Sequence, residues 1–176
     1  MNIHPLVVHF PIALLVLYVF FEVLPFEQWY PRAAWKDIKT ILVSFGGLGI
    51  LAALATGQLA EQSFFTANIA TILHLHKLFA GASAAIFGII AAAYVIQWIF
   101  GKHTSALRYI KDRMFFLEAF FSIVLKRWVV TPLAILGFFV LAMTGVLGAI
   151  MVYGPSNDFI TQFVFSALHL GLTNHP

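Results

Sequence analysis

Histidines stand at the start of two long apolar segments of this chain. His4 and His9 belong to the phrase His-Pro-Leu-Val-Val-His-Phe-Pro, and His74 and His76 belong to the phrase His-Leu-His-Lys. An ionisable side chain within or beside a membrane segment is costly, so such residues are candidates for function. Neutral imidazole is a ligand for haem iron and for copper and zinc. The two phrases therefore predict a cofactor or metal site that two segments share.

The composition places these segments in a membrane. Of the 176 residues, 61% are hydrophobic and only 10% are charged, so a water-soluble domain of this size could not cover its apolar surface. The absence of cysteine excludes disulfides, thiolate ligands and haem attached through C-x-x-C-H. The net charge of +3 is explained by membrane topology, and we expect a lipid bilayer and no nucleic acid as partner.

The hydrophobic pattern predicts an all-α, integral membrane four-helix bundle over residues 1–154. Four segments are long enough to cross about 30 Å of hydrocarbon as helices. These predicted spans are residues 5–24, 38–59, 73–100 and 128–153. No internal repeat is evident along them.

Two shorter apolar stretches lie outside the predicted spans. Within the loop 101–127, the stretch from Met114 to Leu125 is too short to span and predicts an interfacial helix. The tail 155–176 predicts an amphipathic surface helix, with Phe159, Phe163 and Val164 on one face. Both elements would suit docking to a larger complex.

The basic residues predict the orientation of the bundle. Nine of the ten lysines and arginines fall on the side of the loops 25–37 and 101–127, and only Lys77 falls on the side of the termini. Because positive loops stay in the cytoplasm, both termini are expected on the periplasmic side of a bacterial inner membrane.

With this topology, the first and third spans are parallel and their histidines lie at matching depth. His9 is about one turn into the first span, and His74 and His76 are in the opening turn of the third. Successive helical residues turn by about 100°, so His74 and His76 point in nearly opposite directions. We therefore expect His9 and His76 to be axial ligands of one haem b, with His74 as the alternative to His76.

Further residues border this predicted site. His4 is expected either to cap the first helix or, with the remaining histidine of the third span, to hold a second haem. Gly57 leaves space for a ligand, and Lys77 is expected to pair with haem propionates or with Glu61. Glu22 is the only acid inside a predicted span, and it is expected to reach Arg32 or Lys36, a proton path or a quinone at the opposite interface.

The opening phrase His4-Pro5-Leu6-Val7-Val8-His9-Phe10-Pro11 closely resembles the start of an uncharacterised bacterial membrane family, the domain of unknown function numbered 2231. Thr56-Gly57, a histidine at the start of the third span and Val152-Tyr153-Gly154 are similar too, so the resemblance covers residues 1–154. It implies a four-helix membrane domain with histidines at one side, next to c-type cytochrome modules. The 101–127 loop and the tail after Gly154 depart from the family pattern.

These features together predict a b-type cytochrome. It would transfer single electrons between the quinol pool, or a membrane redox complex, and a periplasmic partner such as a c-type cytochrome. We expect an electron-transfer protein, in a homo- or hetero-oligomer, rather than a stand-alone enzyme. Two alternatives stay open, namely a structural subunit of a larger complex and a copper or zinc site formed by His4, His9, His74 and His76.

Overall fold

The described part of the chain is built of helices alone. A computed structural model describes residues 4–61, 70–100, 115–154 and 159–168, and these contain seven helices and no strand. In chain order the helices are α1 (His4–Val23), α2 (Phe26–Trp29), α3 (Trp35–Glu61), α4 (Ala70–Phe100), α5 (Phe115–Val124), α6 (Arg127–Tyr153) and α7 (Phe159–Ala167). The predicted all-α class is confirmed.

Four of these helices, α1, α3, α4 and α6, are long and apolar enough to cross a membrane. Each predicted span agrees with its helix to within about three residues at either end. The chain is therefore a multi-pass membrane protein. In α1 the apolar span begins at Leu6, which leaves His4 just outside it.

The four long helices form an antiparallel bundle in which α1 and α4 stand diagonally. Helix α1 packs on α3 and α6, and α4 packs on the same two helices. Because α3 and α6 run in the opposite direction, α1 and α4 are parallel and start at the same end. We call this the histidine end, since His4 and His76 lie there, and we call the other end, which holds Glu22 and Tyr94, the loop end.

Glycines allow the helices to approach closely. A Cβ atom on Gly46 would lie 2.6 Å from Leu15 Cδ2, and one on Gly49 would lie 2.9 Å from Pro11 Cβ. These contacts join α1 to α3. Small residues are common at such crossings in membrane bundles because van der Waals packing drives the association there.

The core follows one face of each long helix. Its fully buried side chains include Leu15, Tyr18, Val43, Phe87 and Ile90. Tyr18 meets Phe87 edge-on with ring centroids 6.5 Å apart, a favourable aromatic geometry. This packing fixes the rotation of α1 and α4, and with it the direction in which their histidines point.

The short helices refine the predicted loops. Helix α5 lies within the predicted interfacial stretch, whereas α2 falls in a segment that we expected to be a plain loop. Helix α7 forms in the tail, but the predicted shared face is corrected. Phe159 and Phe163 stack on each other and are exposed, while Val164 is buried against Leu147 and Ile150 of α6.

Candidate functional site

His76 of α4 points towards the bundle axis and is fixed by the backbone of α6. Its Nδ1 atom is 3.0 Å from the carbonyl oxygen of Thr144. A carbonyl can only accept a hydrogen bond, so Nδ1 carries the proton and the lone pair of the neutral ring is on Nε2. A histidine that donates Nδ1–H to a backbone carbonyl is the usual arrangement behind a metal-binding Nε2.

His4 of α1 has the same tautomer for a different reason. Its Nδ1 atom is 3.0 Å from Thr56 Oγ1 on α3. The Thr56 hydroxyl donates to the carbonyl oxygens of Ala52 and Ala53, 3.0 and 3.1 Å away. Because the Thr56 proton is directed at these carbonyls, we assign the Thr56 oxygen as the acceptor from His4 Nδ1–H, a tautomer with its lone pair on Nε2.

The environment of His4 keeps its imidazole neutral. Partial burial lowers the pKa of His4 below the ordinary 6.5, and a hydrogen bond to the Ala53 backbone opposes this effect only in part. A neutral ring is the form that binds a metal ion, since protonation removes the lone pair.

The two imidazoles belong to helices that face each other across the axis at one height. His4 and His76 are close enough to interact electrostatically. At the other end of the bundle, Glu22 of α1 is hydrogen-bonded to Tyr94 of α4. His4 lies 18 residues before Glu22, and His76 lies 18 residues before Tyr94, a distance of about 27 Å along each helix. The parallel helices therefore bring both rings to the same level of the histidine end.

His9 and His74 do not share this position. Both are exposed, because they lie on other faces of α1 and α4. His9 is five residues from His4, which turns it by about 140° away, while Pro11 occupies the inward position against Gly49. The structure thus brings together His4 and His76, rather than the predicted pair of His9 and His76.

Glycines form the walls against which the two inward rings lie. A Cβ atom on Gly57 would be 3.2 Å from His4 Cε1, and one on Gly148 would be 3.4 Å from His76 Cε1. Gly57, predicted to leave space for a ligand, thus makes room for an imidazole. A side chain in its place would push His4 away from α3.

Lys77 borders the site from outside. Its ammonium group lies 2.6 Å from the Glu61 carboxylate, and its side chain is about half exposed. The pair joins the end of α3 to the first turns of α4. Glu61 is one of the two partners predicted for Lys77. His103, His169 and His175 lie outside the described residues.

Ser83 is a buried polar residue below His76. It lies seven residues deeper on the same face of α4, and it is only 2% exposed. Within the described ranges its hydroxyl has no hydrogen-bond partner, and the same holds for the buried hydroxyls of Tyr18, Ser44 and Thr131. Unpartnered hydroxyls therefore lie at several places in the bundle and not only beneath the histidines.

A buried ionic network occupies the loop end, and the sequence predicted its partners incorrectly. Glu22 is bound by Lys39 at 3.2 Å and accepts a 3.0 Å hydrogen bond from the Tyr94 hydroxyl. Lys39 also binds Glu27 at 2.8 Å. We had expected Arg32 or Lys36 in this role. Both of these are exposed, whereas Lys39 is one turn further into α3 and reaches the core.

Comparison with protein-family models, curated proteins and solved structures finds no match for this chain. The resemblance of the opening phrase to the domain of unknown function therefore stays a prediction.

Proposed function

We propose that this chain is a b-type cytochrome of the bacterial inner membrane, with haem b held between His4 and His76. It would transfer single electrons between the quinol pool, or a membrane redox complex, and a periplasmic partner such as a c-type cytochrome. The observation that carries this proposal is the matched pair of inward imidazoles. In each ring a hydrogen bond holds Nδ1–H, so the lone pair that would bind iron is on Nε2.

The residues present fit this cofactor. His4 and His76 would hold the haem iron through their imidazoles, which are a common ligand of haem iron, and bundle cores are a common place for such groups. Haem b, when bound, supplies a reversible one-electron couple at its iron. The chain's own part is to orient both rings through Thr56 and the Thr144 carbonyl and to keep His4 neutral.

The copper or zinc alternative has less support. Structural zinc sites use four protein ligands, and catalytic ones use three. Among the residues that the structure describes, no group of three or more His, Cys, Asp or Glu side chains is placed to hold a metal ion. Haem needs only two protein ligands because the porphyrin supplies the other four.

One haem is favoured over two. A second haem would need His4 together with His74, but His4 already faces the axis beside His76, and His74 is exposed. The basic residues support the orientation with the histidine end in the periplasm, because five of the six that the structure describes lie towards the loop end and only Lys77 lies at the histidine end.

The test is a reduced-minus-oxidised absorption spectrum of the purified full-length protein, together with metal analysis. We expect the sharp visible bands of a six-coordinate haem on reduction and close to one iron per chain. Copper or zinc without haem bands would favour the metal-site alternative. A protein without any of these groups, after expression with added haem precursor, would favour a structural subunit.

A further inference from the structure

A cavity of about 150 Å³ lies at the loop end, far from the histidines. It is open on one side. Four charged side chains, Glu22, Glu27, Lys39 and Arg127, line it together with Tyr94 and apolar residues of the loops. An apolar cavity of this size holds a benzene ring, so the space suits a small polar group of similar volume.

The charges of this cavity are mixed and balanced. Lys39 is shared between two carboxylates, those of Glu22 and Glu27, which leaves this trio with one net negative charge. Arg127 adds one positive charge at the exposed side of the cavity. Such walls attract a ligand that carries both signs, with its cation towards the carboxylates and its anion towards the guanidinium.

Two of the four charged side chains that line the cavity are buried. Glu22 is 5% exposed and Lys39 is 6% exposed. A buried ion pair is expensive to maintain. Its position at the wall of an open cavity, rather than within the packed core, indicates that the site serves a polar ligand.

The cavity lies at the depth of lipid headgroups. Exposed aromatic residues surround the loop end, namely Trp29, Tyr30 and Trp128, and exposed tryptophan and tyrosine mark the membrane–water interface. Leu125 and Pro25 line the apolar part of the cavity, and the exposed apolar face of α5, which carries Phe116 and Phe120, lies next in the chain. Leu125 follows α5 directly in the chain, so an acyl chain attached to the ligand would leave the cavity beside apolar side chains.

We propose that this cavity binds the headgroup of a zwitterionic aminophospholipid, phosphatidylethanolamine, from the adjoining leaflet. Its primary ammonium donates hydrogen bonds to Glu27 and Glu22, and its phosphate accepts from Arg127. The trimethylammonium of phosphatidylcholine has no N–H donor, and phosphatidylglycerol has no cation for the carboxylates. This proposal is independent of the haem site.

The test is native mass spectrometry of the full-length protein from nanodiscs that contain equal amounts of the three phospholipids with identical acyl chains. One charge-assisted hydrogen bond corresponds to about a tenfold difference in affinity. We therefore expect about tenfold more bound phosphatidylethanolamine than phosphatidylcholine or phosphatidylglycerol. Glu27→Gln should reduce this preference, because it removes a carboxylate that accepts from the ammonium. Arg127→Gln should lower the binding of all three lipids, because each of them carries the phosphate.

Matched controls lie on the same side of the protein. Asp37 and Arg32 are exposed residues of the same charges as Glu27 and Arg127 but do not line the cavity. Asp37→Asn and Arg32→Gln should keep the preference. Equal binding of the three lipids, preferential binding of phosphatidylglycerol, an unchanged preference in Glu27→Gln, or unchanged total binding in Arg127→Gln would overturn the proposal. Helicity measured by circular dichroism checks that each variant is folded.

Discussion

The Tyr94 hydroxyl donates a 3.0 Å hydrogen bond to the Glu22 carboxylate, and the two residues are 72 positions apart. The same separation relates His4 to His76. It also relates the inward positions between them, which are Pro11 and Ser83, Leu15 and Phe87, and Tyr18 and Ile90. Helices α1 and α4 therefore present corresponding faces to the axis, in equal register.

The partner helices hold the two rings in different ways. His4 bonds to the Thr56 side chain and lies against Gly57 of α3, whereas His76 bonds to the Thr144 backbone carbonyl and lies against Gly148 of α6. The correspondence therefore holds for the inward faces of α1 and α4 and does not extend to their partner helices.

The first prediction concerns which histidines are ligands. His76→Ala and His4→Ala should each abolish the six-coordinate haem spectrum, because each removes one inward imidazole. His9→Ala and His74→Ala should retain it, since both side chains are exposed. The measurement is the reduced-minus-oxidised spectrum at equal protein concentration. Loss of the bands in His9→Ala with retention in His4→Ala would restore the pair that we predicted from sequence.

The difference between those pairs shows what the sequence can establish. The four spans could be predicted because about 20 consecutive apolar residues have few alternatives to a membrane helix. Parallel entry of α1 and α4 also followed from counting spans, whereas counting helical turns showed only that His74 and His76 point in nearly opposite directions and left open which of them faces inward. The end of the bundle at which His4 and His76 lie was thus predicted, whereas a haem or metal site there stays a prediction. The inward histidine of α1 is His4, five residues before the predicted His9.

Which face of α1 points towards the axis depends on side-chain packing, and the hydrophobic pattern of the sequence does not specify that packing. Helix α1 is apolar on every side, so its pattern does not distinguish the face of His4 from that of His9. Contacts between Pro11 and Gly49 and between Leu15 and Gly46 decide it. One signal was available, because Glu22 shares a face with His4 and a membrane acid is expected to point inward.

The second prediction separates the two threonines. Thr56→Val removes the oxygen that accepts from His4 Nδ1–H, whereas Thr144→Val leaves in place the backbone carbonyl that accepts from His76. Loss of such an orienting partner typically lowers cofactor affinity by about 10–100-fold. We expect weaker haem retention in Thr56→Val and nearly unchanged retention in Thr144→Val, measured by transfer of haem to apomyoglobin. Equal effects of the two changes would contradict the roles given to these threonines.

The third prediction is a pH dependence that comes from His4. Burial lowers the pKa of His4 below 6.5, so the unfolded chain takes up this proton before the folded protein does. Stability from His4 is therefore complete above pH 6.5 and is lost as the pH falls from there towards the lowered pKa. The midpoint of thermal unfolding should fall between about pH 7.5 and 5.5 by more in the wild type than in His4→Gln, which cannot titrate. Equal shifts in the two proteins would mean that the folded protein does not disfavour the charged form of His4.

The fourth prediction concerns the buried ion pair at the loop end. Lys39→Met leaves the Glu22 charge buried with Tyr94 as its remaining partner within the network, which should cost about 3–5 kcal/mol of stability. The exposed pair of Lys77 and Glu61 offers a matched control, because Lys77→Met should cost at most about 1 kcal/mol. The double variant Glu22→Gln/Lys39→Met removes both buried charges, so it should be more stable than Lys39→Met alone. Chemical unfolding in mixed micelles gives the free energy of unfolding of the wild type and the three variants. Similar losses of stability in Lys39→Met and Lys77→Met would show that water screens the Glu22 charge despite its 5% exposure.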